Sequence, residues 1–106
     1  MVSRLLTLPE LGLLLYMLRD KPAAEHVLSG LPTARVQELA DNGMGSLQFV
    51  SPRLNRRLGH LLASQWYLDA DGVPVLASLY TDTEGELFEL DSWKTDNSPL
   101  QRIPAF

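Results

Sequence analysis

The candidates for acid–base chemistry in this sequence are His60, Asp91, Lys94 and Asp96. Such chemistry needs an acid and a base within hydrogen-bonding reach of each other. Asp91, Lys94 and Asp96 are neighbours in sequence, but successive residues of a strand project from opposite faces. If the last strand continues through Lys94, Asp91 and Lys94 cannot pair directly. If the strand ends near Trp93, Lys94 could fold back against Asp96 or Asp91. A structural ion pair that secures the C-terminal tail is favoured over an acid–base pair, and no catalytic residue is predicted.

The other sequence patterns that could indicate catalysis, metal binding or anion binding are weak. His26 and His60 are the only imidazoles and lack the spacing of a metal-binding pair, so no metal site is predicted. The chain has no cysteine, which excludes a thiolate nucleophile and a disulfide. Gly43-Met44-Gly45-Ser46 could form an anion-binding nest, but it lacks the lysine of a phosphate-binding loop. We expect it to be a hairpin turn, and we expect no cofactor.

A three-stranded meander between Gly59 and Lys94 must position most of these groups. Asp71-Gly72 between two β-prone runs predicts a two-residue type I′ turn, which pairs Leu68 with Val75 and Trp66 with Ala77. A second turn is predicted at Asp82-Thr83-Glu84-Gly85, which pairs Leu79 with Phe88. These registers decide which side chains share a face.

The predicted register separates two faces of the meander. One is predicted to belong to the core: Trp66, Leu68, Val75, Ala77, Leu79, Phe88 and Leu90. The other mixes acids with aromatic and aliphatic side chains, a composition typical of interfaces, and it is the predicted partner-binding surface. Its candidate binding residues are Tyr67, Leu76, Tyr80, Glu89, Asp91 and Trp93. Two alternatives remain open, since helices or the C-terminal tail could cover this face, or a homodimer could bury it.

Two helices are predicted before the meander. Thr7-Leu8-Pro9-Glu10 has the pattern of a capping box, which predicts a helix from Pro9 to Arg19. Pro22 opens a second helix over Ala23 to Ser29.

The segment Arg35–Leu39 is compatible with either a helix or a strand. The turn-forming Asn42-Gly43-Met44-Gly45 and the β-prone residues 46–50 follow it, and this order favours a hairpin. The predicted fold class is therefore α+β, a single domain over residues 1–106. Two N-terminal helices pack on a mostly antiparallel sheet of about five strands built from sequential hairpins.

Charge and composition limit the classes of partner. With 106 residues, 45% hydrophobic content and a net charge of −4, the chain has the composition of an ordinary globular domain and lacks the basic surface that nucleic acids require. The apolar run Leu11–Leu18 is too short to cross a bilayer and lacks a secretory pattern, so we expect no membrane partner and a cytoplasmic location. Residues 58–93 contain seven acids and no lysine or arginine. Such a segment could steer a basic partner, or it could simply confer solubility.

Three runs of the sequence are characteristic: Asn42-Gly43-Met44-Gly45-Ser46-Leu47, Asp71-Gly72-Val73-Pro74-Val75, and the stretch from Glu86 to Asp96, which is the most specific. They resemble a family of small bacterial domains of unknown function. The resemblance covers nearly the whole chain. It implies an α+β domain with the Met-Gly-Ser region in a hairpin, and it implies no activity and no catalytic residues.

The function predicted from the sequence is non-enzymatic. We expect a bacterial immunity- or antitoxin-type protein that neutralises a basic protein, such as a toxin domain encoded nearby, through the acidic, aromatic face. The alternative is an enzyme or small-ligand domain with a site around His60, Asp91, Lys94 and Asp96. An immunity protein should present a flat acidic patch, whereas an enzyme should show convergent polar groups around a cavity of roughly 300 Å³ or more.

Overall fold

A computed structural model describes residues 2–106 as helices packed on one side of a six-stranded sheet. The strands are β1 (Arg4–Leu5), β2 (Arg35–Glu38), β3 (Leu47–Phe49), β4 (Leu58–Leu68), β5 (Pro74–Asp82) and β6 (Leu87–Lys94), and the helices are α1 (Leu8–Leu18) and α2 (Glu25–Leu28). Their order in the sheet is β1-β2-β3-β6-β5-β4, and each neighbouring pair is antiparallel. The α+β class is confirmed, with six strands where about five were expected. Strand β3 pairs with β6, whereas every other neighbouring pair in the sheet consists of strands that are consecutive in sequence. This pairing joins the meander to the N-terminal half of the chain.

The first helix begins at the predicted capping box. The Glu10 backbone N–H donates to the Thr7 hydroxyl at 3.3 Å, and the Thr7 N–H donates to the Glu10 carboxylate at 2.8 Å. These bonds satisfy two of the backbone donors that a helix start leaves free. The second helix is shorter than predicted, because Pro22–Ala24 forms a 3₁₀ turn and only Glu25–Leu28 is α-helical.

The ambiguous segment is a strand, as favoured above. Val36 lies opposite Phe49 in the β2–β3 hairpin, and both side chains are buried. Burial in the sheet outweighs the helical preference of the alanine, glutamine and glutamate around it, because intrinsic propensities are small beside tertiary packing.

The two hairpins of the meander share one turn type, which is not the type predicted. Each has an aspartate, two intervening residues and a glycine with positive φ: Asp69 with Gly72 (φ 81°), and Asp82 with Gly85 (φ 89°). The Gly72 N–H donates to the Asp69 carbonyl at 2.9 Å, and the Gly85 N–H donates to the Asp82 carbonyl at 3.1 Å. These are three-residue loops, type I turns followed by a glycine bulge. The two-residue type I′ turn is wrong because it requires positive φ at Asp71 as well, which Asp71 does not have.

The additional loop residue shifts β4 by one position along β5. Trp66 lies opposite Leu76, and Tyr67 lies opposite Val75, whereas the predicted partner of Trp66 was Ala77. A shift of one residue turns every side chain of a strand to the other face. Tyr67 is consequently a core residue with 7% of its surface exposed, and Trp66 is 53% exposed. Both face assignments were wrong.

Strands β5 and β6 keep most of their predicted faces. Leu79 lies opposite Leu90 instead of the predicted Phe88, and a shift of two residues leaves the faces unchanged. A bulge near the turn leaves Phe88 without a partner in β5, and Leu87 packs against the core. Phe88 is only partly buried and Leu68 is 61% exposed, so both core assignments were wrong.

The helices and the C-terminal tail cover the same side of the sheet, which we call the inner face. The buried side chains of α1 and α2 form one cluster with inner-face residues such as Val75 and Leu79. In the tail, Leu100 and Ile103 pack against this cluster, and the Phe106 ring lies 5.9 Å from that of Tyr67. In residues 2–106, neither the helices nor the tail therefore covers the opposite side of the sheet. Cover by these elements, one of the two alternatives that the sequence left open, is wrong.

Candidate functional site: the open face of the sheet

The uncovered side of the sheet, which we call the open face, presents side chains in transverse rows set by strand pairing. An apolar row crosses β4, β5 and β6, and a polar row crosses the same strands two residues further along. A third row continues into β3 and β2. The rows are Trp66–Leu76–Trp93, then Ser64–Ser78–Asp91, then Leu61–Tyr80–Glu89–Gln48–Gln37. Five of the six predicted binding residues share this face: Leu76, Tyr80, Glu89, Asp91 and Trp93.

Tyr67 is the predicted binding residue that the structure removes from this face, and Trp66 takes its place. The Trp66 and Trp93 rings lie 6.5 Å apart, with 53% and 43% of their surfaces exposed. The Trp93 indole N–H donates to the Asn97 side chain at 3.1 Å, which orients the ring. Two contacting, half-exposed tryptophans are the composition of a binding hot spot, since large rigid rings bury much area at little entropic cost.

The acids of the meander are mostly neutralised by cations, which the linear sequence did not reveal. Lys94 is fully buried, and its ammonium donates to Asp69 at 2.8 Å and to Asp71 at 2.6 Å. The Asp69 carboxylate also accepts from the backbone N–H groups of Gln101 and Arg102 at 2.8 and 2.9 Å. Burial alone would raise the pKa of Asp69, but these contacts outweigh it and hold the pKa far below its ordinary value. This cluster is the ion pair expected to secure the tail, with different acids from those considered in the sequence.

A second cluster neutralises the acids of the next turn. Asp82 is buried, and its carboxylate accepts from the guanidinium groups of Arg53 and Arg56. Arg53 also pairs with Glu84 and with Glu86. Burial opposes ionisation of Asp82, but Arg56 and two backbone N–H groups outweigh it and lower the pKa of Asp82. The connector between β3 and β4 therefore cancels most of the charge at this turn.

Glu89 and Asp91 are the meander acids that no salt bridge among residues 2–106 neutralises. Partial burial raises the pKa of Glu89, and the charge of Asp91 adds to the effect. A cation placed beside Glu89 would favour its ionised form. The strongly acidic surface expected from the composition is thus reduced to two carboxylates, both on the open face.

The residues of the alternative enzymatic site do not converge. Asp91 lies on the open face, Lys94 is buried on the inner side, and Asp96 bonds to Ser98 beyond the end of β6. Lys94 pairs with Val75 at the start of β5. His60 is exposed and lies in β4 next to the residues that pair with Tyr80 and Asp82, at the other end of β5. Among residues 2–106, no cluster of three or more histidine and acidic side chains could hold a metal ion.

The glycine loop before β3 has a structural role in the tail junction. The Ser92 backbone N–H donates to the Ser46 hydroxyl at 2.9 Å, and a side chain at Gly45 would meet Leu100 at 3.0 Å. The Leu100 N–H donates to the Gly43 carbonyl. Asp71 belongs to the second run that carries the family resemblance, and it pairs with Lys94 of the third. All three runs therefore contribute residues to this junction.

Two of the pockets among residues 2–106 differ in the polarity of their lining. A groove of about 670 Å³ between α1 and the tail is lined, apart from Arg102, by apolar residues and Gly12: Leu8, Pro9, Ile103, Pro104, Ala105 and Phe106. A more polar depression of about 360 Å³ contains Arg53 and Arg56, whose guanidinium groups already bind Asp82. Neither contains any residue of the alternative site.

The lowered pKa of Asp82 predicts an acid-sensitive contribution to stability. A carboxyl group with a lower pKa when folded stabilises the protein above its unfolded pKa of about 3.9, and this stabilisation is lost as the pH falls below that value. Asp82→Asn keeps the side-chain size but cannot titrate. We expect it to be less stable than the natural chain near neutral pH, with a gap that narrows in acid. Urea unfolding across this range measures the gap, and a constant gap would contradict the assignment.

Trp66 was missed because the turn signal is ambiguous. The glycine of an Asp-Gly pair has a positive φ in a two-residue type I′ turn and also in a three-residue loop with a glycine bulge, so the pair fits either turn. The two loops have related sequences, Asp69-Ala70-Asp71-Gly72 and Asp82-Thr83-Glu84-Gly85. Treating both as the same three-residue loop would have placed Trp66 on the face that holds Leu76 and Trp93.

Comparison with known proteins gives one match. The model of a family described as a domain of unknown function, DUF6984, matches residues 3–104. No curated protein and no solved structure matches the chain. Within residues 2–106, no helix combines the length and the apolar character needed to span a bilayer.

Proposed function

We propose that this chain, which belongs to the DUF6984 family of domains of unknown function, is a non-enzymatic domain that binds a protein partner through the open face of its sheet. The observation that carries the proposal is the contacting, half-exposed pair of Trp66 and Trp93 on a sheet face that neither helices nor tail cover. Burying two indole rings against a partner would remove a large apolar area from water.

The proposed partner presents a basic group beside the tryptophans. Asp91 lies one row from Trp93, and Glu89 lies in the row beyond it. Because burial and mutual repulsion disfavour ionised Glu89, an arginine or lysine of the partner would relieve a cost already present in the free protein. In its most concrete form, the proposal is an immunity- or antitoxin-type protein that masks a basic toxin domain.

Binding kinetics with the product of the neighbouring gene would test the proposal. We expect Trp93→Ala to speed dissociation by about 30-fold, because a buried aromatic anchor acts after contact is made. We expect Glu89→Lys to slow association by about tenfold at low salt and to reduce its salt dependence, because peripheral charge acts mainly on encounter.

Glu25→Lys is the matched control for the charge reversal. Glu25 is exposed on α2, on the other side of the sheet, and the substitution changes the net charge by the same amount. It should leave both rate constants within about twofold, since charge far from the interface is screened. If Glu89→Lys and Glu25→Lys behaved alike, or if Trp93→Ala left dissociation unchanged in a folded protein, the open face would not be the binding surface.

A further inference from the structure

The two edges of the sheet are protected very differently. The β1 edge has only two residues, and the Arg4 guanidinium on it pairs with Glu10 and Glu38. The β4 edge has 11 residues and contains no aspartate, glutamate, lysine, arginine or proline. Natural sheets usually protect their edges with short strands, charges or proline, because an unpaired strand readily pairs with another.

Part of β4 is regular and open for pairing. Register shifts at Leu58, Leu61 and Ala63 disturb the first half of the strand, whereas residues 63–68 pair with β5 without interruption. The Asp69 N–H donates to the Val73 carbonyl, so alternation directs the backbone groups of Ser64, Trp66 and Leu68 away from the sheet. Among residues 2–106, no other strand pairs with this edge.

We propose that β4 pairs antiparallel with β4 of a second copy of this chain, joining two six-stranded sheets into one. The symmetric register that uses all three outward-facing residues is centred on Trp66, with Ser64 opposite Leu68 of the second copy. It forms about six backbone hydrogen bonds. The Gln65 side chain, which donates to the Trp66 carbonyl at 2.8 Å in the single chain, gives way to the amide of the second copy.

The distribution of charge favours a second copy at this edge. Most surfaces of a chain with a net charge of −4 repel their own copies, but β4 is uncharged apart from a histidine. The unpaired acids Glu89 and Asp91 lie on β6, two strands or about 10 Å from β4. That distance exceeds the screening length of about 8 Å at physiological salt.

Pairing around Trp66 also extends the apolar row of the open face. The row Trp66–Leu76–Trp93 continues directly into the same row of the second copy, with the two Trp66 side chains as neighbours. Cross-strand aromatic pairs stabilise a sheet beyond its backbone bonds. Half-exposed Trp66 thereby gains an apolar neighbour.

Two substitutions at Ser64 test the dimer by sedimentation equilibrium of the purified chain. Ser64→Pro removes an outward N–H that the sheet does not use, which an edge strand tolerates. Ser64→Lys adds a charge to the exposed edge, and Ser29→Lys, at an exposed position after α2, is the matched control. We expect twice the monomer mass for the natural chain and for Ser29→Lys. Both Ser64 variants should weaken the dimer at least about tenfold.

Amide hydrogen exchange provides a readout that does not depend on any variant folding. In the dimer, the N–H groups of Ser64, Trp66 and Leu68 should be protected, and dilution to monomer should remove this protection while leaving that of Tyr67 intact. A monomer mass at all concentrations, or a dimer with unprotected N–H groups at these three positions, would overturn the proposal. The measurement needs no heterologous partner, so its outcome is separate from that of the partner-binding test.

Discussion

Replacing Lys94 with methionine is expected to lower the melting temperature by about 15 °C or more. Methionine preserves the apolar stem in the core but removes the ammonium that pairs with Asp69 and Asp71. Asp69 would then keep a buried negative charge without its cation. Removing one partner of a buried pair is costly for this reason, even though forming the pair contributes little net stability.

Lys21→Met is the control for this substitution, because Lys21 is the other lysine of the chain and is exposed. It should change the melting temperature by no more than a few degrees, as surface substitutions do. Thermal unfolding followed by circular dichroism measures both variants. Equal shifts would mean that the Lys94 ion pair does not stabilise the fold or the attachment of the tail.

Replacing Gly59 with alanine is expected to destabilise the protein by about 3 kcal/mol or more. A Cβ atom at this position would lie 2.2 Å from the backbone carbonyl oxygen of Asp82, and the backbone cannot yield as a flexible side chain could. Gly59 lies within the register shift between Leu58 and Leu61, where β4 runs beside the end of β5. Relief of the clash would require β4 to move away from Asp82, whose carboxylate binds Arg53 and Arg56.

Gly12→Ala is the matched comparison, since a Cβ atom there meets nothing within 4 Å and the residue is inside α1. Alanine is favoured over glycine in a helix, so this substitution should stabilise the protein by about 0.5–1 kcal/mol. Denaturant unfolding of the two variants should therefore give changes of opposite sign. A neutral Gly59→Ala would show that β4 and β5 do not approach as closely as described.

The capping box at Thr7 and the hairpin after Arg35 were predictable because their signals are local. A cap is made by residues three apart, and a turn by four consecutive residues. The register of β4 was not predictable in the same way, because Asp71-Gly72 serves two loop lengths equally well. The loop length becomes definite only when Asp69 is buried against Lys94 and the tail amides.

The residues of the candidate site likewise include some that local patterns predict and some that depend on the tertiary structure. The pattern of residues in β5 and β6 was sufficient to place five of the binding residues on one face: Leu76, Tyr80, Glu89, Asp91 and Trp93. Side chains alternate between the two faces of a strand whatever the distant parts of the chain do. The exchange of Tyr67 for Trp66 depended on a one-residue difference in a loop.

The α+β class, the first helix, and the alternation of β5 and β6 were predictable, since each follows from short-range backbone and side-chain geometry. Which acids keep an unbalanced charge, and which face of the sheet stays uncovered, depend on contacts between distant parts of the chain. Lys94, Arg53 and Arg56 reach their acids across 23 to 33 residues of chain. Electrostatic partners are chosen by distance in space, which composition and spacing do not contain.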